Sequence, residues 1–369
     1  MRLLQKECGK CLRHPFLWIV CITFGLFQFL SIYTYVGNAG MRKELRQMHV
    51  AVTDEETASP EYESAYADYK KTYGGMYDTL DMHKILEQKE KKSGYEPQGV
   101  WGSWIVRNYD RLQKRVEQIR KTGEGTYAFY PGSWYKLHST LYGKLWKKLI
   151  LQTAVLMILS MLYLMDYERI YKTQDLVLAT TTGKKMMEKK MLAGTLCGLF
   201  YAGLLTVFTL LVFFAAVPFQ NLWHVPVAAC MVAEPRLQMM YPFVTFWWLE
   251  QWRYLLLALV VLVGLLGIVA AVTAAVQLFL QNSYFSFAVL GLLFMGAYLL
   301  AYVQMGNVWD LIREFFNPTV LYATSGGWFM ENDLCLSFAG NEFAVLFCSG
   351  TAAVCLMAVG KRRYHRLEV

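Results

Sequence analysis

Cys8 and Cys11 form a Cys-x-x-Cys near the N-terminus, and thiolates at that spacing hold zinc when a second pair or nearby histidines complete a tetrahedral set. Neither completion is present, so no metal site is expected. Gly183-Lys184-Lys185 ends like a phosphate-cradling loop, yet it lacks the earlier glycine and the Ser or Thr that follows the first lysine. HExxH and GxSxG are also missing. His14, His49, His83, His138, His224 and His365 include no i, i+4 pair that would set two ligands on one helix face, and read as surface or interface groups. With no nucleophile, acid–base pair or metal set, the chain is not expected to be an enzyme.

The elements that carry these residues follow from composition. Of 369 residues, 56% are hydrophobic and 15% aromatic, more apolar than an ordinary soluble domain. Roughly half of the charged residues fall within 37–147. The net charge of +8 does not imply nucleic acid, because the basic residues cluster at the ends of apolar runs instead of on one exposed face. Six runs are long enough to cross a bilayer core about 30 Å thick, namely 15–36, 148–165, 191–217, 254–280, 284–303 and 343–360. The fold class is therefore an all-α polytopic membrane protein, with six transmembrane helices and a helical extracellular insert between the first two. The first run exceeds a signal-peptide core and is read as a retained span. Span cores hold uncharged polar groups such as Gln28, Thr206, Thr209, Thr273 and Gln277, and essentially no charge, which disfavours an ion- or proton-coupled carrier.

Lys and Arg in short loops mark the cytoplasmic side. Arg2, Lys6, Lys10 and Arg13 precede span one; Arg169, Lys172, Lys184, Lys185, Lys189 and Lys190 fill 166–190; Lys361, Arg362, Arg363 and Arg366 occupy the tail 361–369. Loops 218–253 and 304–342 hold only Arg236, Arg253 and Arg313. Both termini are expected in the cytoplasm, with 37–147 outside. Trp146, Trp223, Trp247, Trp248, Trp252, Trp309 and Trp328 fall at the outer interface so defined, where amphipathic rings settle. Cys21, Cys197, Cys348 and Cys355 lie in spans and read as small buried residues. Cys230 and Cys335, one in each outer loop, are a candidate disulfide.

The insert carries helical periodicity. Tyr62, Tyr66, Tyr69, Tyr73 and Tyr77 fall on one stripe, and Trp101, Trp104, Ile105, Tyr109, Leu112, Val116 and Ile119 on a second. Turns are expected at Gly74-Gly75, 94–99 and 123–125. These stripes are either the core of a small helical domain or an aromatic surface for substrate. The Pro- and aromatic-rich 218–253 loop reads as lying on the outer leaflet. Val308 to Phe316 reads as a short interfacial helix stopped by Asn317-Pro318.

The cytoplasmic segment 166–190 opens with Asp166, Glu168 and Arg169, continues through an apolar run from Leu176 to Ala179 that includes Leu178, and passes Thr180, Thr181 and Gly183 into the basic pair Lys184-Lys185. It serves either to dock a partner or as a plain topological anchor. This layout resembles the permease of an ABC-2 type exporter, and the resemblance extends to the six-span order, inside termini and large first outer insert. It implies that Glu168 and Arg169 stand at the acidic opening after span two, Leu176 and Leu178 in a coupling helix, and Thr181, Gly183, Lys184 and Lys185 in the turn and basic segment that follow. Lysines stand here where the family often has arginine, which keeps the charge and loses the planar fork. It further implies an ABC ATPase subunit as partner, which would bind the ATP and Mg²⁺, a second permease subunit (the same chain or another), surrounding membrane lipid, and residues 1–14 as a cytoplasmic interfacial helix. No cofactor is expected in this chain itself, and the expected location is a bacterial plasma membrane.

Gly194, Gly198 and Ala202 in span three, and Gly267, Ala271 and Ala275 in span four, repeat at four-residue spacing. They report close packing, either within the bundle or between subunits. The functional expectation is a permease subunit for an amphipathic or hydrophobic cargo such as a peptide, lipid or drug. The alternative is a non-transporting sensor whose outer helical domain binds a peptide or wall component.

Overall fold

A computed structural model of the chain describes residues 2–38, 75–93, 99–126, 137–173, 183–217, 222–231, 244–303, 308–331 and 338–367, with isolated positions between them. Helix α1 (Arg2–Leu12) is followed by Arg13-His14, and Pro15 opens α2 (Pro15–Gly37), where its fixed φ and absent N–H suit a first turn. The insert contributes α3 (Met82–Ser93) and α4 (Gly99–Thr122). A π-helical turn, Ser139–Leu145, runs directly into α5 (Trp146–Met165), followed by the short α6 (Tyr167–Ile170). Then come α7 (Gly183–Ala216), α8 (Val227–Met231), α9 (Gln251–Leu280), α10 (Ser283–Ala301), α11 (Val308–Phe316), α12 (Thr319–Ala323) and α13 (Asn341–Leu367). Among the described residues there is no strand, only the isolated bridges Pro226–Glu250 and Thr245–Met330.

Six of these stretches are long and apolar enough to cross a membrane: Pro15–Gly37, Ser139–Met165, Met186–Ala216, Gln251–Leu280, Ser283–Ala301 and Asn341–Tyr364. The protein is an all-α polytopic membrane protein. Four of the six runs read from hydropathy fall within one of these helices, while 191–217 and 284–303 overrun Ala216 and Ala301 by one and two residues. Span two begins earlier than its apolar run, because the π-helical turn carries the helix back to Ser139 through polar residues that hydropathy discounts.

The bundle is built around α5. Its most apolar stretch is 67% buried, against 17% for α10, and it touches α2, α7, α9 and α10. In lipid there is no hydrophobic drive between helices, so close packing must come from shape. A Cβ added at Gly194 would stand 3.1 Å from the Met161 Cα, and one at Gly198 3.1 Å from the Met157 Cα. Ala202 is also buried. The span-three stripe therefore packs α7 onto α5 within this chain. In span four, Ala275 packs towards Gly360 of α13, whereas the position of Gly267 meets nothing within 4 Å.

The chain termini share one end of the bundle, the terminal side, where Lys361 of α13 pairs with Glu188 of α7. At the opposite, insert side a second core joins Tyr77, Leu80, Met82, Ile85, Ile105, Tyr109, Leu112, Val116 and Ile119 to Ala228 and Val244. The stripe from Ile105 to Ile119 is thus the inner face of α4. Tyr62, Tyr66, Tyr69 and Tyr73 lie outside the described residues, as do the Cys335 region and the Cys230 side chain, so the candidate disulfide is outside them too. The loop before α9, rich in aromatics, packs into this second core through α8 and Val244.

Candidate functional site

The terminal side gathers charged residues from three separate parts of the chain. Helix α1 is amphipathic: Glu7 and Cys11 are buried, while Leu4, Cys8 and Leu12 pack against the bundle core. It lies on α7 and α5. The Trp18 indole N–H donates to Leu12 O at 2.7 Å and the His14 ring sits 4.2 Å from Tyr163, which fixes the corner between α1 and α2.

Glu168, buried with 5% of its surface exposed, is the hub. Its Oε1 accepts from Lys10 Nζ at 3.1 Å, and Lys190 Nζ pairs with its other oxygen. Lys10 also donates to Glu7 Oε1 at 2.6 Å and lies 4.4 Å over the Tyr167 ring. Glu7 and Glu168 share these two ammoniums, and buried Asp166 also acts on Lys190, so each buried charge has an opposite one near it. Locally, α5 stops at Asp166, whose Oδ2 accepts from Ser283 Oγ at 2.8 Å and so ties the helix end to α10. Thr173 N then returns to Glu168 O at 2.8 Å, with Lys172 in the left-handed region at φ 54°. The backbone on both sides of Glu168 is held, so its carboxylate has one address.

Sequence-predicted site residues divide here. Glu168 faces inward, while Arg169 is exposed next to exposed Ile170 and Tyr171. Gly183, Lys184 and Lys185 form the first turn of α7, immediately before the segment that carries Lys190. Leu176, Leu178 and Thr181 lie outside the described residues. Lys10 and Lys190 were legible only as topology charges; nothing in their spacing points to Glu168, 158 residues from Lys10. The Cys8–Cys11 pair meets Cys197 of α7, whose Sγ is 3.8 Å from Cys8 O. Burial pushes the Cys8 thiol up to about 11, so it stays protonated. Among the described residues no group of His, Cys, Asp and Glu is arranged to hold a metal ion.

The insert side has its own buried polar groups. Arg115 of α4 pairs with fully buried Glu124 through one nitrogen, its Nη2 lying 2.6 and 2.7 Å from the two carboxylate oxygens, and its Nε donates to Thr245 O at 3.0 Å. Burial pushes the Glu124 carboxyl up from its ordinary range while the Arg115 charge pulls it down. Deeper in, His138 is 2% exposed, contrary to the surface reading of the histidines, because the π-helical turn folds it under the Tyr142 and Tyr254 rings at 4.6 and 4.8 Å. Its Nδ1 lies 3.3 Å from Gln251 Oε1. Desolvation lowers its pKa to about 4, so it is neutral. Across from it, Gly326 rides so close that an added Cβ would meet Gly143 Cα at 3.1 Å, and Ser325 Oγ donates to Tyr142 O at 2.9 Å. The π-helical turn is thereby clamped to the loop before α13.

Comparison of the chain with protein-family models, curated proteins and solved structures finds no match to any of them.

Proposed function

We propose that this chain is the membrane-spanning permease subunit of an ATP-driven ABC-2 type exporter, moving an amphipathic or hydrophobic cargo out of a bacterial cell. In this reading the terminal side is cytoplasmic and the insert extracellular, a separate ATPase binds ATP and Mg²⁺, and a second permease subunit completes the path. The observation that carries it is the Glu168 hub. It ties the amphipathic α1, the end of span two and the start of span three into one footing on either side of residues 174–182. A force applied to that segment by a partner reaches α5 and α7 together, and α5, like α9, touches four of the other five spans. Exposed Ile170 and Tyr171, flanked by Arg169 and Lys172, offer a partner an apolar contact with a basic rim beside that footing.

ATP binding would act by favouring one of two bundle arrangements, since a partner with equal affinity for both shifts neither. The test is purification of the full chain from its native membrane in mild detergent, with identification of accompanying proteins and an ATP hydrolysis assay. A stoichiometric soluble ATPase is expected to co-purify. The pair Lys184→Glu with Lys185→Glu, and separately Tyr171→Ala, should lower stimulated ATP hydrolysis at least tenfold with an unchanged melting temperature. Reproducible absence of any ATPase from intact chain would overturn the proposal and leave the sensor reading.

A further inference from the structure

We propose that the groove between α2 and α5 on the insert side binds the phosphate head group of an anionic phospholipid, with Lys148 as its cation. The groove is open along the bundle surface, measures about 430 Å³ and is lined by Phe27, Leu30, Ser31, Thr34, Tyr35 and Lys148. Its depth follows from a hydrogen bond between the same two helices: Gln28 Nε2 donates to Gln152 Oε1 at 2.8 Å inside the bundle. Lys148 is one turn from Gln152, and Ser31 about one turn from Gln28, both towards the insert side. Ser31 stands six residues short of Gly37, where α2 ends, or about 9 Å at the helical rise. The ammonium therefore lies within the depth of span one.

Lysines near span ends ordinarily run outward to water. Lys148, exposed on the outside of the bundle, donates to Ser31 Oγ at 3.0 Å and stands 5.3 Å from the centre of the Phe27 ring, one turn deeper. Among the described residues no carboxylate pairs with it. Ser31 accepts from Lys148 and keeps its own hydrogen to donate, so an ammonium and a hydroxyl face the same groove. Phe27 and Leu30 are 51% and 57% exposed and form apolar walls along the outside of the bundle. An anion that meets the charge and apolar chains that lie on Phe27 and Leu30 are the two parts of a phospholipid, whereas free phosphate would leave the walls bare. This inference stands apart from the exporter proposal, because a resident lipid needs no transport cycle.

The test reconstitutes the full chain in phosphatidylcholine nanodiscs containing a minor share of phosphatidylglycerol, then counts retained phosphatidylglycerol by native mass spectrometry. The intact chain should retain it preferentially, Lys148→Gln should lower retention about fivefold, the share of one lysine near a lipid surface, and Lys148→Arg should keep it. Lys144→Gln, at an exposed lysine outside the groove, should change nothing. Leu30→Trp fills the groove without touching the charge and should also displace the lipid, which keeps the test usable if Lys148→Gln does not fold. Unchanged retention in both groove variants would overturn the proposal. So would equal loss in Lys144→Gln, displacement by inorganic phosphate, or cross-linking of Thr34→Cys between two copies, which would assign the groove to a subunit interface.

Discussion

The two sides of the bundle both bury charge, and they do so in opposite ways. On the insert side Arg115 and Glu124 stand nine residues apart, are almost fully dry, and pair through one Arg115 nitrogen reinforced by Thr245. On the terminal side Glu168 is shared between two lysines from remote segments, and the Lys10 side chain keeps 26% of its surface. In a dry pair whose guanidinium is also held by Thr245, any displacement strands a charge in a low dielectric, which permits one geometry. A shared carboxylate with one partner at the water's edge has alternatives, since Lys10 can fall back on Glu7. The insert-side pair has one geometry, whereas on the terminal side Lys10 can shift between Glu7 and Glu168 while the buried Lys190–Glu168 pair stays in place.

Removing Arg115 is the strongest way to probe the contrast. Arg115→Ala leaves Glu124 unpaired and should cost about 3–5 kcal/mol of insert stability. Hydrogen exchange should rise across 75–126 while α1 and α7 keep their protection; a rise confined to the terminal side would reverse the comparison. Acid probes the layer beneath the insert. The unfolded His138 takes a proton near 6.5 and the folded one near 4, so its contribution is complete above about pH 6.5 and falls as pH drops, by on the order of 3 kcal/mol at pH 4. Thermal melts of His138→Phe should lose most of that acid sensitivity, and an unaltered pH profile would remove His138 as its source.

Effects no larger are expected at the hub and in the membrane interior. Glu168→Gln leaves buried Lys190 without its carboxylate and should cost about 3 kcal/mol, and release α1 to exchange without disturbing α3 and α4. If α1 stays protected, the hub is not what holds it. Gln28→Leu should change the melting free energy by only about 0.6 kcal/mol, because polar pairs inside a bilayer have modest net worth. A loss several times larger would mean that the Gln28–Gln152 bond, not helix shape, sets the α2–α5 register.

Much of the architecture was legible because hydropathy acts through local chain chemistry. The runs 15–36 and 254–280, inside the helices Pro15–Gly37 and Gln251–Leu280, could be read at once, since a lipid-facing helix is apolar on every side. The stripe Ile105, Tyr109, Leu112, Val116 and Ile119 marked one face of α4 by its period, and packing decided that this face turns inward. His138 was misread because scattered histidines carry no spacing signal, and only the π-helical turn and the loop at Ser325 and Gly326 bury it. Of the candidate coupling residues, Glu168 was recognisable by its position after span two, but its lysine partners were not.

The sequence by itself determined the helical class, the six spans and the end of the bundle where basic residues collect, because each depends on residues close together in the chain. Tertiary structure alone decided that Gly194 and Gly198 serve packing of α7 on α5, that Gln28 meets Gln152, and that Lys10, Glu168 and Lys190 share one hub. Those pairings join segments more than a hundred residues apart, or depend on which face of a helix turns inward. Residue spacing along one chain does not encode either until the helices are packed.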